Sequence, residues 1–325
     1  MARRTTAILA IAGLLALGAC GTTEKPAAST ASPTGGPVTV TDSRGKAVQL
    51  KAPALRVVGL EWGEVEMLVT LGVQPVGVAD VKGYSTWDTA AKLGADVKDV
   101  GTRTEPSVDS IVALQPDLVV MEAERDSALV GQLEKYVPVI VAKGSDATDN
   151  LARMRSDFQL IATAVGRTDK AAEVLADFDK KIADAKAAIA AKGNAGRSFA
   201  IADGWREGSS IGIRMFGQGS LVSQVGIALG LKNVWHGEVD AAWGLGVTDV
   251  EGLTPLKSDA DVRFFYNASD GDDVFADGLN KNAVWNSLPF VTRNQLHKQP
   301  DGIWTFGGPA SCLQYADALV AVFGK

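Results

Sequence analysis

With 325 residues, 46% of them apolar, the chain is long enough to bury one or two cores of its own. Its formal charge of −6 argues against nucleic acid or an anionic lipid surface as a partner, because both select basic surfaces. Two cysteines, Cys20 and Cys312, allow one disulfide at most, so stability has to come from burial.

The N-terminus carries Arg3 and Arg4, an apolar stretch from Ala7 to Leu17, and then Leu17-Gly18-Ala19-Cys20. That is the layout of a secretion signal over residues 1–19, and it is shorter than the roughly 20 apolar residues of a bilayer span. A cysteine directly after the small residues resembles the bacterial lipobox, whose thiol receives a diacylglycerol. The expectation is cleavage before Cys20, with lipid on that residue as the only membrane attachment, at the extracytoplasmic face of the cell membrane. Loss of residues 1–19 removes two arginines and no acid, taking the charge to −8, with 30 basic against 38 acidic side chains. Residues 20–37 are Thr, Ser, Ala, Gly and Pro with almost no large apolar side chain, a flexible leash with a reach of roughly 20–25 Å.

Val38-Thr39-Val40-Thr41 and Ala47-Val48-Gln49-Leu50, joined through Asp42-Ser43-Arg44-Gly45, predict a β-hairpin. From Arg56, short apolar runs (Val57–Leu60, Val76–Ala79, Leu118–Met121, Val139–Val141) alternate with helical patterns near Gly63–Leu71 and Val108–Leu114. Such alternation predicts parallel strands with helical crossovers, a first α/β lobe over 38–167. Leu151, Met154, Phe158, Ile161 and Val165 form a helical stripe that ends at Gly166, a C-cap candidate. Leu175, Phe178, Ile182 and Ile189 form another over residues 168–192, a connecting helix of about 35 Å. Strands at Phe199–Ala202, Ile211–Phe216 and Val262–Tyr266, with helices at Ser220–Leu229 and Ser311–Phe323, make a second α/β lobe over 193–325. Lobes joined by a single helix permit only modest hinge motion.

Catalytic signatures are weak. Gly217-Gln218-Gly219-Ser220 is not the Gly-x-Ser-x-Gly elbow, and His236 and His297 lie in no signature that makes either a general base. Gly244-Leu245-Gly246 lacks the third glycine of a dinucleotide loop, and no His/Cys cluster has zinc-ligand spacing, so neither enzyme, cofactor nor resident metal is expected. What stands out is aromatic residues beside charged or polar ones at predicted strand ends: Glu61-Trp62, Tyr84 with Trp87, Arg103, Trp205-Arg206, Trp235, Trp243, and Trp304 with Phe306. Ligands of open α/β sheets bind beyond the carboxyl ends of the strands, where aromatic rings offer broad contact and arginine a fork of donors for oxygen-rich groups. Trp62, Trp87 and Trp243 sit in or after Gly/Ser/Thr/Asp-containing stretches that read as non-helical; Trp285 reads as packing between elements.

Five segments together resemble the periplasmic ferric-hydroxamate binding proteins of ABC importers. They are Arg56–Trp62, Glu66-Met67-Leu68 before Leu71-Gly72, Pro75–Asp80, Asp99–Pro106 and Asn233–Glu238, and the likeness runs from about Val38 to Val322. The resemblance implies two Rossmann-like α/β lobes joined by one long backbone helix, the class III periplasmic-binding-protein fold, with a shallow cleft between them. It also implies a monomer that binds a ferric siderophore, of hydroxamate, desferrioxamine-like type, and passes it to a permease with its ATPase. Arg103 would bond the iron-coordinating oxygens, with an aromatic wall of Trp62, Trp87, Trp235, Trp243 and Trp304. Two tyrosines of the hydroxamate pattern are replaced here by the Glu122-Ala123-Glu124-Arg125 stretch and by Phe306, leaving Arg125 or Arg214 to supply the missing donors. Asp109 and Glu251 match the carboxylates that meet permease arginines. A ferric hydroxamate centre is neutral and suits one or two arginines in an aromatic bowl, whereas a tris-catecholate carries three negative charges and favours more, with Arg103, Arg125, Arg206 and Arg214 as candidates. Ferric catecholate or carboxylate carriage is therefore the alternative, and a siderophore esterase with a Ser–His pair a more distant one.

Overall fold

In the computed structural model, which describes residues 35–123 and 127–325, an N-terminal hairpin of β1 (Val38–Thr41) and β2 (Ala47–Leu50) precedes the first lobe. Buried Asp42 fixes this hairpin to the sheet by accepting from the backbone N–H of Val141 at 3.2 Å while paired with Arg44. The first lobe then runs through β3 (Val57–Gly59), α1 (Trp62–Thr70), β4 (Gly77–Val78), α2 (Val81–Trp87), β5 (Lys98–Asp99), α3 (Val108–Ala113), β6 (Leu118–Glu122), α4 (Ser127–Leu133) and β7 (Val139–Ala142). Its five strands are all parallel, in the order β5-β4-β3-β6-β7. Strands β3, β6 and β7 are buried at every position, so they read as unbroken Val/Ile/Leu runs.

Helix α5 (Asn150–Ala164) ends at Gly166, whose φ of +66° only glycine adopts without strain. The next residue, Arg167, donates its N–H back to the Ala162 carbonyl at 2.7 Å, closing the C-terminus as a Schellman motif. Helix α6 (Thr168–Ala191) follows at once, about 36 Å long at 1.5 Å per residue. It buries Ala171, Leu175, Phe178 and Ile189 on one face and shows water a face of Lys–Asp pairs on the other.

The second lobe comprises β8 (Ser198–Glu207), β9 (Ser210–Phe216), α7 (Leu221–Ala228), β10 (Lys232–Asn233), β11 (Leu245–Thr248), β12 (Arg263–Tyr266), α8 (Pro289–Thr292), β13 (Leu296–Lys298) and α9 (Pro309–Phe323). Its sheet is mixed. Strand β8 pairs in parallel with β10 and β12, and β12 with β13, whereas β9 runs antiparallel to both of its neighbours, β8 and β11. Sequence reasoning expected a four-residue strand at Phe199–Ala202; β8 instead continues through Asp203-Gly204-Trp205-Arg206-Glu207. Those residues look polar in sequence because the outer end of the strand, Trp205-Arg206-Glu207, is exposed. The turn is two residues long, with Gly208 at φ +60°, as tight hairpins require.

One hydrophobic cluster spans both lobes. Val57, Leu118 and Ile140 of the first sheet, Phe158 of α5 and Phe178 of α6 are continuous with Phe199, Phe216 and Phe265 of the second sheet and with Tyr315 and Phe323 of α9. The lobes are also clasped by polar contacts: Asn150 donates to the Gly219 carbonyl at 2.7 Å, and Gln224 accepts from the Leu151 N–H at 2.9 Å. Glu66 of α1, fully buried, accepts three N–H groups from the start of α9, those of Gly308, Ala310 and Ser311, at 2.8–3.0 Å. A carboxylate there satisfies donors the helix cannot and complements its dipole.

Burial, and then the neighbouring Glu66 charge, push the Asp88 carboxyl up to about 9. Folded protein therefore keeps a proton that the unfolded chain releases near pH 4, so this group's stabilisation is present at low pH and is lost as pH rises from about 4 toward 9. Asp88→Asn should flatten that part of the pH dependence, making the variant's loss of stability between pH 5 and 9 smaller than the parent's in urea unfolding. An unchanged slope would mean Asp88 is ionised in the fold.

Candidate ligand-binding cleft

The first lobe contributes its half of the cleft through the turn from β3 into α1. Glu61 is the N-cap of α1, its carboxylate accepting from the Trp62 N–H at 3.1 Å. Trp62 is the first residue of that helix and 4% exposed, and its indole N–H donates to the Ala79 carbonyl at 3.1 Å. Its non-helical reading in sequence is thus corrected: the ring is a fixed, buried wall. Trp87 likewise ends helix α2, which Asp80 caps by accepting from the Gly83 N–H at 2.9 Å. Tyr84 of the same helix turns inward and donates to the Ala91 carbonyl.

Arg103 follows β5. Its guanidinium carbon stands 4.3 Å from the centroid of Trp62 and 5.3 Å from that of Trp304, and it pairs with Glu61. The head group is thereby stacked and charge-balanced, yet Nε has no hydrogen-bond partner. That nitrogen is itself closed to solvent, while the side chain as a whole stays 26% exposed.

From the second lobe, the segment between β13 and α9 places Trp304 edge-on to Trp62 at 4.9 Å and to Trp87 at 6.5 Å. Phe306, two residues on, meets Trp304 at 5.2 Å, Trp243 at 5.4 Å and Phe216 at 5.7 Å. Six rings thus form a continuous chain from the first lobe to the second. Arg214 on β9 mirrors Arg103: its guanidinium lies 5.3 Å from Phe306 and 5.8 Å from Phe216, and it grips Asp203, its register partner on β8, with Nε to Oδ1 at 3.0 Å and a second contact to Oδ2. Burial pushes the Asp203 carboxyl up, and the Arg214 charge opposes that rise.

Among the sequence candidates, Trp62, Trp87, Arg103, Arg214, Trp243, Trp304 and Phe306 are brought together here. Trp235 is not: it is 7% exposed, packs in the second-lobe core with Phe264, Trp285 and Leu256, and lines a cavity of about 490 Å³ that none of the cleft rings borders. The step from Asn233, whose side chain accepts from the Trp235 N–H at 2.8 Å, turns that ring inward. Arg206 points to the opposite face of β8 and binds Asp272 at 3.1 Å. Trp285 is core, against Phe264, Phe275 and Phe290. Arg125 and Cys20 fall outside the described residues. His297 packs on Phe265, and burial lowers its pKa; His236 lines the cavity beside Trp235.

Sequence reasoning missed Phe216, Asp203 and the role of Glu61 in the pairing. Asp203 was legible in principle, since it opposes Arg214 across one hairpin, but only once β8 is drawn to its full length. Among the described residues no group of three or more His, Cys, Asp or Glu can hold a metal ion, and no helix is long and apolar enough to cross a membrane.

Two α/β lobes joined by one long helix, with a chain of aromatic rings running from one lobe to the other, are the architecture of the class III periplasmic binding proteins. The chain belongs to the periplasmic binding protein family, whose model matches residues 57–301. It is 28% identical over 269 residues to the iron(3+)-hydroxamate-binding protein FhuD of Escherichia coli, covering 83% of this chain and 87% of that one. It is also 28% identical over 310 residues to the probable siderophore-binding lipoprotein YfiY of Bacillus subtilis, covering 93% and 92%. Among solved structures, the Fe3+-Desferal-bound siderophore binding protein FhuD of Vibrio cholerae superposes with a TM-score of 0.73 at 24% identity, over 83% of this chain and 98% of that one. At that identity the likeness speaks for the fold.

Proposed function

We propose that this protein captures a ferric siderophore of the hydroxamate class in the inter-lobe cleft and delivers it to an ABC permease driven by its ATPase. The observation that carries the ligand class is charge balance. Both arginines on the ring chain, Arg103 and Arg214, are already paired with a carboxylate, Glu61 and Asp203, so among the described residues the cleft offers N–H donors and π-faces with little net positive charge. A neutral tris-hydroxamate centre, oxygen-rich at the metal and hydrocarbon elsewhere, fits such a surface. A tris-catecholate with three negative charges calls for uncompensated arginines, and Arg206 is turned away to Asp272. The names of the Escherichia coli and Bacillus subtilis relatives point to the same ligand class and to siderophores in general. Titration with a ferric trihydroxamate should quench tryptophan fluorescence at submicromolar concentration, since four of the six rings are tryptophans, Trp62, Trp87, Trp243 and Trp304; indifference to a panel of ferric hydroxamates removes the reading.

We propose in addition that lipid on Cys20, a residue outside those described, holds the receptor at the extracytoplasmic membrane surface, close to its permease; the N-terminal sequence pattern supports this. Permease docking is assigned to Asp109, exposed in the first turn of α3, and Glu251, exposed at the start of the 3-10 helix Glu251–Ser258. Exposed rim charges set orientation and on-rate. Joint reversal to Arg at both positions should leave ferric-siderophore affinity intact while abolishing uptake in cells; retained uptake would remove these two residues from the interface.

A further inference from the structure

Strands β8 and β9 present two faces with different tasks. On one, Gly204 backs onto Val274 and Phe275 of the second-lobe core, and Arg206 reaches Asp272. On the other lie Asp203 and Trp205 of β8 and Gly212, Arg214 and Phe216 of β9, because Asp203 opposes Arg214 and Trp205 opposes Gly212 in the register. This second face is the one that meets Phe306, so it is the cleft face. Trp205 sits on it one pleat farther out than the Asp203–Arg214 pair, about 7 Å along the strand.

The indole has a built seat. A Cβ on Gly212 would stand 2.6 Å from its ring, so only glycine opposite lets the ring lie flat on the strand. Trp205 remains 38% exposed, while every ring of the inner chain is more covered. A flat indole held by its inner side and open on its outer side, in line with Arg214 and Phe216, is an aromatic platform at the mouth of the cleft.

We propose that Trp205 is a specificity-determining contact, on which the organic arms linking the hydroxamates rest while Arg103 and Arg214 address the iron-bound oxygens. This inference rests on the siderophore reading given above. Inner rings and arginines meet what all ferric hydroxamates share; Trp205 meets what distinguishes them. The chemistry it selects is a hydrocarbon or amide linker of sufficient span, since an indole face rewards area.

The test compares two probes on the full-length mature protein: a linear ferric trihydroxamate, and ferric tris(acetohydroxamate), which has the same iron centre and no linkers. For Trp205→Ala, affinity for the trihydroxamate should fall about ten-fold through lost apolar contact, and affinity for the tris(acetohydroxamate) should stay at the parent value. Trp205→Phe should recover most of the loss. Equal losses for both probes accompanied by a lower Tm would make Trp205 a cover for Gly212 and overturn the proposal, as would parent-like affinity for both. A parent protein that binds neither probe overturns the siderophore reading itself, and this inference with it; parent binding separates the two failures.

Discussion

Arg103→Ala should weaken binding of a ferric hydroxamate by roughly 10- to 100-fold, the loss of about 1.5–3 kcal/mol expected when buried ligand oxygens are deprived of a charged donor. Arg103 is suited to this because its head group needs no reorganisation: Trp62 and Trp304 fix its plane and Glu61 fixes one edge, while the side chain stays 26% exposed. Arg103→Lys keeps the charge but not the planar fork, and should lose nearly as much. Both variants should fold, because the guanidinium is a quarter exposed and the Glu61 cap on Trp62 persists. Affinities come from fluorescence titration, with thermal melts as the control for folding. Parent-like affinity in the alanine variant would mean that the ligand's iron face is held elsewhere.

Glu66→Ala should be the most damaging single change to the fold outside the aromatic cores. It strips three buried N–H groups at the start of α9 of their acceptor and cuts a clasp between the lobes. A cost of about 3 kcal/mol is expected for orphaned buried donors, which lowers Tm by roughly 6–12 °C in a chain of this size. Glu66→Gln retains one acceptor oxygen but turns amide hydrogens toward the same donors, and should lie between. In either variant the Asp88 carboxyl loses the Glu66 charge that raises it, so the alkaline loss of stability should lessen as well. The clasp also matters for function, since it sets how the Trp62 side of the cleft faces the Trp304 side.

Most of the fold could be read from the chain because its parallel strands are buried on both faces and its helices carry clean stripes. Val139–Val141 and Leu118–Met121 are unbroken apolar runs, and Phe158 of α5 and Phe178 of α6 each belong to an apolar stripe at helical spacing. Short elements at the sheet edges were not legible. Strand β5 is two exposed residues, Lys98-Asp99, and α2 holds Gly83, Ser85 and Thr86, so neither periodicity nor propensity marks them. The outer half of β8 escaped notice for a related reason: Trp205-Arg206-Glu207 is exposed, so no alternation of apolar and polar positions marks it as strand.

The site divides along the same line. Residues named from chemistry, an arginine or tryptophan at a strand end, converge where the strand ends themselves converge, as Arg103, Trp304 and Phe306 do. Trp235 shows the limit, since a motif position next to a strand end says nothing about which way the ring turns, and the Asn233 side chain turns it inward. The acidic partners Glu61 and Asp203 became visible only through stacking and register. They are also what moves the ligand argument from counting arginines to counting net charge.

The charge balance of the cleft is tested most directly by measuring, on one preparation, the dissociation constants of a neutral ferric trihydroxamate and of a ferric tris-catecholate with three negative charges. Paired arginines in an aromatic cleft predict submicromolar binding of the hydroxamate and binding of the catecholate at least about ten-fold weaker, as an unpaid charge of that size in a low-dielectric cleft demands. Tighter binding of the tris-catecholate would contradict the account.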